Sequence, residues 1–169
     1  MTQRFKLIIE YEGTKFCGWQ TQPGGGAVQD ALSEAVFKFC GEKLNVNGAG
    51  RTDTGVHARG QVAHLDIDKS TDASTLLKAL NFHLKPHPVA VLSAQLVDSE
   101  FDARFSAIRR HYEYRILSRR VRPTLLVDRV WWVPVELDVA AMQEASGRLT
   151  GQHDFTTFRS VQCQAASPE

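Results

Sequence analysis

The chain is organised around the stretch Gly50-Arg51-Thr52-Asp53-Thr54-Gly55-Val56-His57-Ala58. Two apolar segments flank this stretch, and glycine tolerates backbone geometry that other residues resist, so Gly50 and Gly55 allow a sharp loop. Such a loop presents the Asp53 carboxylate at a fixed point, with Arg51 two residues away and Thr52 able to hydrogen-bond locally. Taken alone, the pattern favours an ordinary turn with a solvated ion pair, because Gly, Asp and Thr are common turn residues.

Hydrophobic patterning predicts regular structure on both sides of this loop. In chain order, the predicted elements are a strand at Phe5–Tyr11, a helix at Val28–Cys40 that stops at Gly41, strands at Leu44–Ala49 and Gly60–Ile67, a helix at Ala73–Phe82 capped by Asp72 or Thr71, and a strand at Val89–Leu96. This order is the split βαβ, ferredoxin-like pattern, an α+β fold with an antiparallel sheet and helices on one face. Because the fold hosts many activities, the order by itself does not define a function.

The segment that follows the last of these strands is rich in arginine. Residues 100–132 contain eight arginines against four acidic residues, whereas the whole chain has a net charge of only +1. The run Arg109–Leu117 alternates as a strand and places Tyr112 and Tyr114 on one face. Arginine supplies planar donors for phosphate, and aromatic rings stack on unpaired bases, so the segment is typical of an RNA-binding surface. A solvated strand face with both tyrosines in the core is an equally good interpretation.

Three further elements are predicted toward the C-terminal end. They are a short strand at Val130–Val133, a helix at Asp138–Leu149 with Asp138 as N-cap and with Val139, Met142, Ala145 and Leu149 facing inward, and a turn at Gly151–Arg159 anchored by Phe155 and Phe158. Residues 1–106 are expected to form a ferredoxin-like domain that carries the central loop. Residues 107–169 are expected to begin a second, related domain.

Composition limits the classes of protein that the chain can belong to. A length of 169 residues with 43% hydrophobic and 23% charged residues is ordinary for a globular protein. Cys17, Cys40 and Cys163 are widely spaced and fit neither a disulfide framework nor a zinc motif, which favours a reducing cytosol. The sequence contains no signal-peptide pattern and no apolar run long enough to span a bilayer, so a cytoplasmic protein without a membrane partner is expected.

The sequence lacks the motifs that hold the common cofactors. It has no Cys-x-x-Cys pair, no His-Glu-x-x-His, no Walker loop and no dinucleotide fingerprint. His64, Asp66 and Asp68 would share one strand face, but carboxylates on a solvated face are commoner than a metal site. The glycines of Pro23-Gly24-Gly25-Gly26 lack the Gly-Lys ending of a phosphate loop, so a mobile linker is expected there. The prediction is therefore no metal and no cofactor, with chemistry by a single carboxylate.

Several motifs occur in the order in which they occur in one enzyme family. Residues 51–58 read Arg-Thr-Asp-x-Gly-Val-His-Ala, and further matches extend along nearly the whole chain: Gly18-Trp19-Gln20 with Gln22, Val28-Gln29, Gly60-Gln61-Val62, Phe101-Asp102-Ala103-Arg104-Phe105-Ser106-Ala107, Tyr112 with Tyr114, Arg122-Pro123, and Gly151 with His153-Asp154-Phe155 and Phe158. On these residues the chain resembles the TruA-type tRNA pseudouridine synthases. The ordered series is far more specific than one octapeptide, and it reverses the interpretation of Asp53 as a turn residue.

This resemblance implies the pseudouridine synthase architecture and isomerisation of uridine to pseudouridine at positions 38 to 40 in the anticodon arm of tRNA. By resemblance, Asp53 is the nucleophile, which attacks either C6 of the uracil or C1′ of the ribose. Tyr112 would stack on the flipped base and help remove the C5 proton, and Arg51 would contact the RNA backbone or fill the space that the base leaves. The same resemblance implies a set of substrate-binding side chains: Gln61, Arg104, Arg109, Arg110, Tyr112 and Arg122.

Two departures from the family pattern change the expectation for this chain. Family members usually carry a Leu-Pro-x-Asp-Ile-like segment after the second helix, where this chain has Leu84-Lys85-Pro86-His87-Pro88-Val89. Family members also have a second half, with a basic residue that pairs with the catalytic aspartate and apolar residues that line the pocket. Since the sequence stops at Glu169, the expectation is a truncated form with that half missing and with weak or absent activity. The resemblance also implies a homodimer whose subunits share the tRNA.

Two other function classes are weighed against the synthase. In a non-catalytic RNA-binding module of ferredoxin-like fold, aromatic strand residues would bind RNA and Asp53 would be a turn residue. The aromatic pattern of the common RNA-recognition module is not present, which counts against this alternative. An aspartate-dependent hydrolase is weaker still, because no second carboxylate occurs at a recognisable spacing.

Overall fold

The computed structural model of the chain describes residues 2–158. The polar segment 159–169, which includes Cys163, lies outside the described residues. The chain divides into two compact units, one up to Glu113 and one from Tyr114 onward. Within residues 2–158, no helix combines the length and the apolar character that crossing a membrane requires.

The first unit contains a four-stranded antiparallel sheet and two helices. Its elements in chain order are β1 (Gln3–Tyr11), α1 (Val28–Cys40), β2 (Asn47–Gly48), β3 (Ala58–Ile67), α2 (Ala73–Leu84) and β4 (Val89–Val97). The strand order in the sheet is β2-β3-β1-β4, and each neighbouring pair is antiparallel. The predicted β-α-β-β-α-β order and the α+β class are therefore confirmed.

The core of this unit forms where one face of the sheet meets the two helices. Phe5, Leu7 and Ile9 alternate along β1 and are fully buried. They share one hydrophobic cluster with Leu32 of α1 and Leu76 of α2, which are also fully buried. Burial of each large apolar side chain contributes about 1.5–3 kcal/mol, so this cluster fixes β1 as the centre of the sheet.

Local signals define the ends of both helices. α1 ends at Gly41, whose φ of 78° is left-handed and whose N–H donates to the Phe37 carbonyl at 2.7 Å. α2 begins after Asp72, whose carboxylate accepts from the N–H groups of Ser74 and Thr75 at 2.9 and 3.0 Å. An N-cap of this kind contributes about 1 kcal/mol. The predicted stop at Gly41 and the predicted cap at Asp72 are both confirmed.

The strand predicted at Leu44–Ala49 is wrong in its extent, because only two of its residues pair with β3. The Val46 carbonyl instead accepts a hydrogen bond from Gln29 Nε2 of α1 at 2.9 Å. Gly48 lies directly against the Trp19 indole, and a Cβ at Gly48 would come within 2.5 Å of that ring. Contacts with α1 and Trp19, rather than a long strand ladder, therefore fix the position of the chain just before the loop that follows.

The second unit is small within its described residues. It contains β5 (Ile116–Ser118), β6 (Trp131–Val133), α3 (Val139–Gly147) and a 3₁₀ turn at Thr156–Phe158. β5 and β6 pair in parallel. The strand predicted over Arg109–Leu117 is wrong for residues 109–115, which are not part of a strand. The turn near Phe155 and Phe158 is confirmed, with ring centroids 6.2 Å apart.

The apolar side chains of α3 do not form the core that the sequence predicts. Asp138 caps the helix as expected, since its carboxylate accepts from Ala141 N–H at 2.9 Å. Val139, Met142 and Leu149 are nevertheless exposed, as is every residue of the helix. The prediction that these residues face inward is wrong because helical periodicity shows which residues share a face and does not show what covers that face.

Candidate active site

The central loop, residues Gly50–Ala58, connects β2 to β3 at one edge of the sheet. Ala49 N–H donates to the Val62 carbonyl at 2.8 Å, which closes the base of the loop. Inside the loop, Val56 N–H donates to the Asp53 carbonyl at 3.2 Å. Gly55 has a φ of 80°, which favours glycine. The sharp turn predicted at Gly55 is therefore confirmed.

Backbone contacts tie the central loop to the segment that follows β1. Trp19 N–H donates to the Thr52 carbonyl at 3.0 Å, and Gly55 N–H donates to the Phe16 carbonyl at 3.3 Å. Gly18 has a φ of 107°, and a Cβ placed on it would lie 2.5 Å from the Thr52 oxygen. The two backbones therefore touch, and the contact fixes the chain immediately before the acidic residue of the loop.

Side chains of the loop are held by β1 and the turn after it. Tyr11 Oη lies 2.8 Å from Thr52 Oγ1. Burial raises the pKa of Tyr11, although the hydrogen bond with Thr52 opposes that effect, so the phenol stays neutral at physiological pH. At the other end of the loop, Gly13 N–H donates to His57 Nδ1 at 3.0 Å. The sequence did not reveal these contacts, since they join residues more than 40 positions apart.

The Asp53 and Arg51 side chains take no part in these anchoring contacts. Both residues are exposed. Among residues 2–158, neither side chain has a hydrogen-bond or ion-pair partner, so the Arg51–Asp53 ion pair of an ordinary turn is not formed there. The result is a rigid backbone that presents an available carboxylate and an available guanidinium two residues apart.

Tyr112 and Arg110 lie next to the first residue of the loop. A Cβ built on Gly50 would be 3.5 Å from Arg110 Nε and 3.9 Å from Tyr112 Oη. Tyr112 is 77% exposed, so its ring is open to a partner. Arg110 Nε and Nη2 donate to the Ala49 carbonyl at 3.2 and 2.8 Å, and Nη2 also donates to the Arg104 carbonyl at 3.1 Å. The structure thus brings two of the predicted site residues to the loop entry.

The other predicted substrate-binding residues differ in their surroundings. Gln61 is half-buried on β3, and its Nε2 donates to the Gly50 carbonyl at 2.5 Å. Arg104 and Arg109 are exposed in the first unit, and the Arg104 guanidinium lies 5.7 Å from the Phe105 ring. Arg122 is exposed in the second unit. Gln61 therefore supports the loop backbone, whereas the exposed arginines can meet a phosphate.

The Phe101–Ser106 turn, which carries Arg104, is anchored to the open face of the sheet. Ala103 N–H donates to Nδ1 of the buried His64 at 3.0 Å, so that nitrogen is unprotonated. Burial lowers the pKa of His64, and the nearby Asp102, with Oδ2 4.0 Å from Nε2, only partly opposes this. A neutral imidazole is therefore the form that holds the turn. Sequence patterning had placed His64 on a solvated face and missed this role.

An ion pair supports the same turn from β1. Arg4 Nε and Nη2 donate to the two carboxylate oxygens of Asp66, each at 2.7 Å. This hydrogen bond lowers the pKa of Asp66. Arg4 Nη1 also donates to the Ser99 carbonyl and, at 3.0 Å, to the Phe101 carbonyl. Asp66, one of the acidic residues considered as a metal ligand, is thus engaged with a cation.

The residues that the structure describes contain no group of three or more His, Cys, Asp or Glu side chains arranged to hold a metal ion. Together, the sheet, the rigid loop and the exposed carboxylate define a class of protein. It is an α+β protein of the split βαβ type, with an exposed Asp in the loop, an exposed aromatic ring next to the first residue of that loop, and exposed arginines.

Comparison with known sequences identifies the family. The sequence model of the tRNA pseudouridine synthase family matches residues 7–106. Three curated relatives carry the name tRNA pseudouridine synthase A and cover 98% of this chain: those of Rhodopseudomonas palustris strain HaA2 at 59% identity, Afipia carboxidovorans at 56% and Xanthobacter autotrophicus at 55%. The chain belongs to the tRNA pseudouridine synthase family, which is a family of enzymes. The resemblance drawn from the sequence motifs is confirmed.

The match covers most but not all of these relatives. The chain spans 67% of the Rhodopseudomonas and Xanthobacter proteins and 68% of the Afipia protein. The family match includes β2, the central loop and β3, and it ends within the segment that carries Arg104. The roles of the individual site residues stay predictions.

Proposed function

We propose that the protein isomerises uridine to pseudouridine in tRNA, at positions 38 to 40 of the anticodon arm. Family membership supports the reaction. The relatives' shared name, tRNA pseudouridine synthase A, supports tRNA as the substrate. The position within the anticodon arm rests on the ordered motifs of the sequence.

The observation that carries the proposal is the exposed Asp53 carboxylate on a tied-down backbone. A nucleophile must reach its substrate and must hold its position, because a misplacement of about 1 Å can cost on the order of 10²-fold in rate. Contacts at Thr52 and Gly55 fix the backbone on both sides of Asp53. No described side chain occupies the carboxylate oxygens. We therefore assign Asp53 the role of nucleophile.

The reaction is balanced without any further reactant. The Asp53 carboxylate attacks C6 of the uracil or C1′ of the ribose, and the bond between N1 and C1′ breaks. The base turns while it is held and C5 bonds to C1′. The bond from the Asp53 oxygen to C1′ or C6 then breaks, which regenerates the carboxylate, while C5 loses its proton and N1 gains one. Covalent catalysis of this kind divides one difficult step into easier ones. Tyr112 stacks on the flipped base and helps remove the C5 proton, in keeping with its exposed position beside Gly50.

Binding must compensate for taking the target base out of its stack, which costs a few kcal/mol. Arg104, Arg109 and Arg122 are exposed, and we propose that they neutralise backbone phosphates. Arg51 is also exposed, and it contacts the RNA backbone or fills the space that the base leaves. Gln61 supports the entry of the loop, because its Nε2 donates to the Gly50 carbonyl.

Part of the complete site is expected from sequence beyond the match. The relatives are about half as long again as the chain, which covers 67–68% of them. We propose that the additional length supplies a cationic partner for Asp53 and further walls of the pocket, as part of a second domain that begins near residue 107. Residues 1–169 alone would then turn over tRNA weakly or not at all. The motif resemblance also supports a homodimer whose subunits share the tRNA, and the widely spaced cysteines support a cytoplasmic location.

Site-specific tritium release tests this function. The product of the complete reading frame is incubated with a tRNA transcript that carries tritium at C5 of uridines 38, 39 and 40, because isomerisation releases that atom to water. The matched control transcript has cytidine at these positions and tritiated uridine elsewhere. Compensating changes in the opposite strand restore the base pairs of its stem. We expect release from the first transcript only. Equal release from both would refute the position, and no release from either would refute the reaction.

A further inference from the structure

We propose that Arg110 is a positioning residue that ties the entry of the central loop to the Phe101–Ser106 turn. The inference rests on the proposed function, since it concerns where Asp53 and Tyr112 are held for catalysis. It goes beyond the general assignment of Arg110 to substrate binding. The observations that carry it are the hydrogen bonds of the guanidinium and the surroundings of the two carbonyls that accept them.

The guanidinium of Arg110 donates to backbone oxygens, although the residue is exposed. Nε and Nη2 form a fork on one oxygen, the Ala49 carbonyl, at 3.2 and 2.8 Å. Nη2 donates a second time, to the Arg104 carbonyl at 3.1 Å. A planar guanidinium can make this pattern because its donors are fixed in one plane, and a lysine ammonium cannot reproduce it. Two of the three nitrogens are therefore used within the protein.

The Ala49 carbonyl is a sensitive point of attachment. Ala49 is buried and its N–H is already bonded to the Val62 carbonyl, so the residue is held from both sides. A Cβ built on Gly50, the next residue, would lie 3.5 Å from Arg110 Nε. The Gly50 carbonyl also accepts a hydrogen bond from Gln61 Nε2. These contacts fix the direction in which the backbone leaves β2, three residues before Asp53.

The other attachment point belongs to a turn that is itself rigid. Asp102 Oδ1 accepts from the N–H groups of Arg104 and Phe105 at 2.8 and 2.9 Å. Ala103 N–H is bonded to His64 of β3, as described above. A bond from Arg110 to this turn therefore braces the loop entry against the sheet. The same brace sets the backbone two residues before Tyr112, whose hydroxyl lies 3.9 Å from the Gly50 Cβ position.

A phosphate contact is the competing role for Arg110, and the two roles differ in measurable ways. Loss of one phosphate contact reduces the salt dependence of RNA binding by about 0.7–0.9 in the slope of log K against log salt. A lysine keeps such a contact as a point charge. Loss of a positioning residue instead lowers kcat at saturating tRNA and leaves that slope unchanged.

The test compares three variants of the complete reading-frame product. We expect Arg110→Lys and Arg110→Gln to lower kcat for tritium release by about tenfold or more, with tRNA affinity and the salt slope close to those of the parent. Arg109→Gln, the matched neighbour with no described contact, should lower affinity and the salt slope. A fully active Arg110→Lys, together with a lower salt slope for Arg110→Gln, would overturn the proposal.

Hydrogen exchange supplies a readout that does not depend on the proposed function. The amides of Gly55 and Val56 are bonded to the Phe16 and Asp53 carbonyls. They should exchange faster in both Arg110 variants and at the parental rate in Arg109→Gln, while the melting temperature stays close to that of the parent. Unchanged exchange in Arg110→Lys and Arg110→Gln would refute the brace. Absence of tritium release from the parent would instead refute the proposed function and leave this measurement intact.

Discussion

Substitution of Gly18 by alanine, outside the central loop, should displace the loop backbone by a distance that the structure gives. A Cβ on Gly18 would lie 2.5 Å from the Thr52 oxygen, whereas ordinary contact begins at 3.4 Å. The Thr52–Asp53 peptide must therefore retreat by roughly 0.9 Å. Since a shift of about 1 Å at a reacting group can cost on the order of 10²-fold, kcat/KM for tritium release should fall by about that factor.

Alanine substitutions at two further glycines distinguish a steric clash from backbone strain as the cause of this loss. Gly26 has a φ of 82° with nothing within 4 Å of its Cβ position, so Gly26→Ala introduces backbone strain without a clash. Strain of this kind costs about 1–3 kcal/mol. Gly18→Ala adds a clash, which costs about 1–3 kcal/mol more. Gly24 also has nothing within 4 Å and lacks a left-handed φ, so Gly24→Ala should stay within about 0.5 kcal/mol of the parent.

The assays are urea unfolding for stability and tritium release from tRNA for activity, on the product of the complete reading frame. The expected order of stability is Gly24→Ala above Gly26→Ala above Gly18→Ala. Only Gly18→Ala should lose about 10²-fold in kcat/KM while it is still folded. If the folded Gly18→Ala protein is as active as Gly26→Ala, the contact with Thr52 does not set the position of the loop.

Three further predictions concern pH, the stacking ring and the extent of the chain. Burial lowers the pKa of His64 from its ordinary 6.5, so the folded state binds fewer protons than the unfolded state. The contribution of the neutral His64 to the unfolding free energy is therefore complete above pH 6.5. Unfolding free energy should fall as pH drops from 6.5 toward that lowered pKa, and His64→Gln, which can still accept from Ala103, should flatten this dependence in urea titrations. Tyr112→Ala should weaken tRNA binding by about 1–3 kcal/mol and reduce turnover, and unchanged affinity in a filter-binding assay would remove the stacking role. Residues 1–169 alone should release little or no tritium from tRNA, and robust release would show that they hold a complete site.

Elements with local signals could be predicted from the sequence. The bounds of α1 follow from the period of its apolar residues and from Gly41, which must adopt a left-handed φ. The starts of α2 and α3 follow from Asp72 and Asp138, whose carboxylates satisfy free N–H groups at each helix end. In each case the cause and its effect lie within a few residues, so the pattern is enough.

The contacts that hold the central loop could not be predicted in this way. Tyr11 reaches Thr52 because β1 and β3 are antiparallel with Tyr11 opposite Ala58, and that register is a property of the folded sheet. The bond from Arg110 to Ala49 joins residues 61 positions apart. Motif order indicated that Asp53 matters, whereas only the structure shows what fixes its backbone.

Periodicity also misled where it suggested burial. Alternation over residues 109–117 resembles a half-buried strand, yet Tyr112 and Tyr114 are 77% and 79% exposed. The apolar stripe of α3 is likewise exposed. A pattern of this kind shows that residues share a face, but the partner for that face must come from elsewhere in the fold.

The role of Asp53 as nucleophile is the central claim, and replacement by asparagine tests it most directly. Asp53→Asn keeps the size of the side chain and removes its charge and its nucleophilic oxygen. Glu34→Gln, an exposed change on α1 that also removes one negative charge, is the matched control. On the product of the complete reading frame, we predict that Asp53→Asn releases no tritium above background, that it binds tRNA as the parent does, and that the control stays active. Tritium release by Asp53→Asn within tenfold of the parent would contradict the assignment.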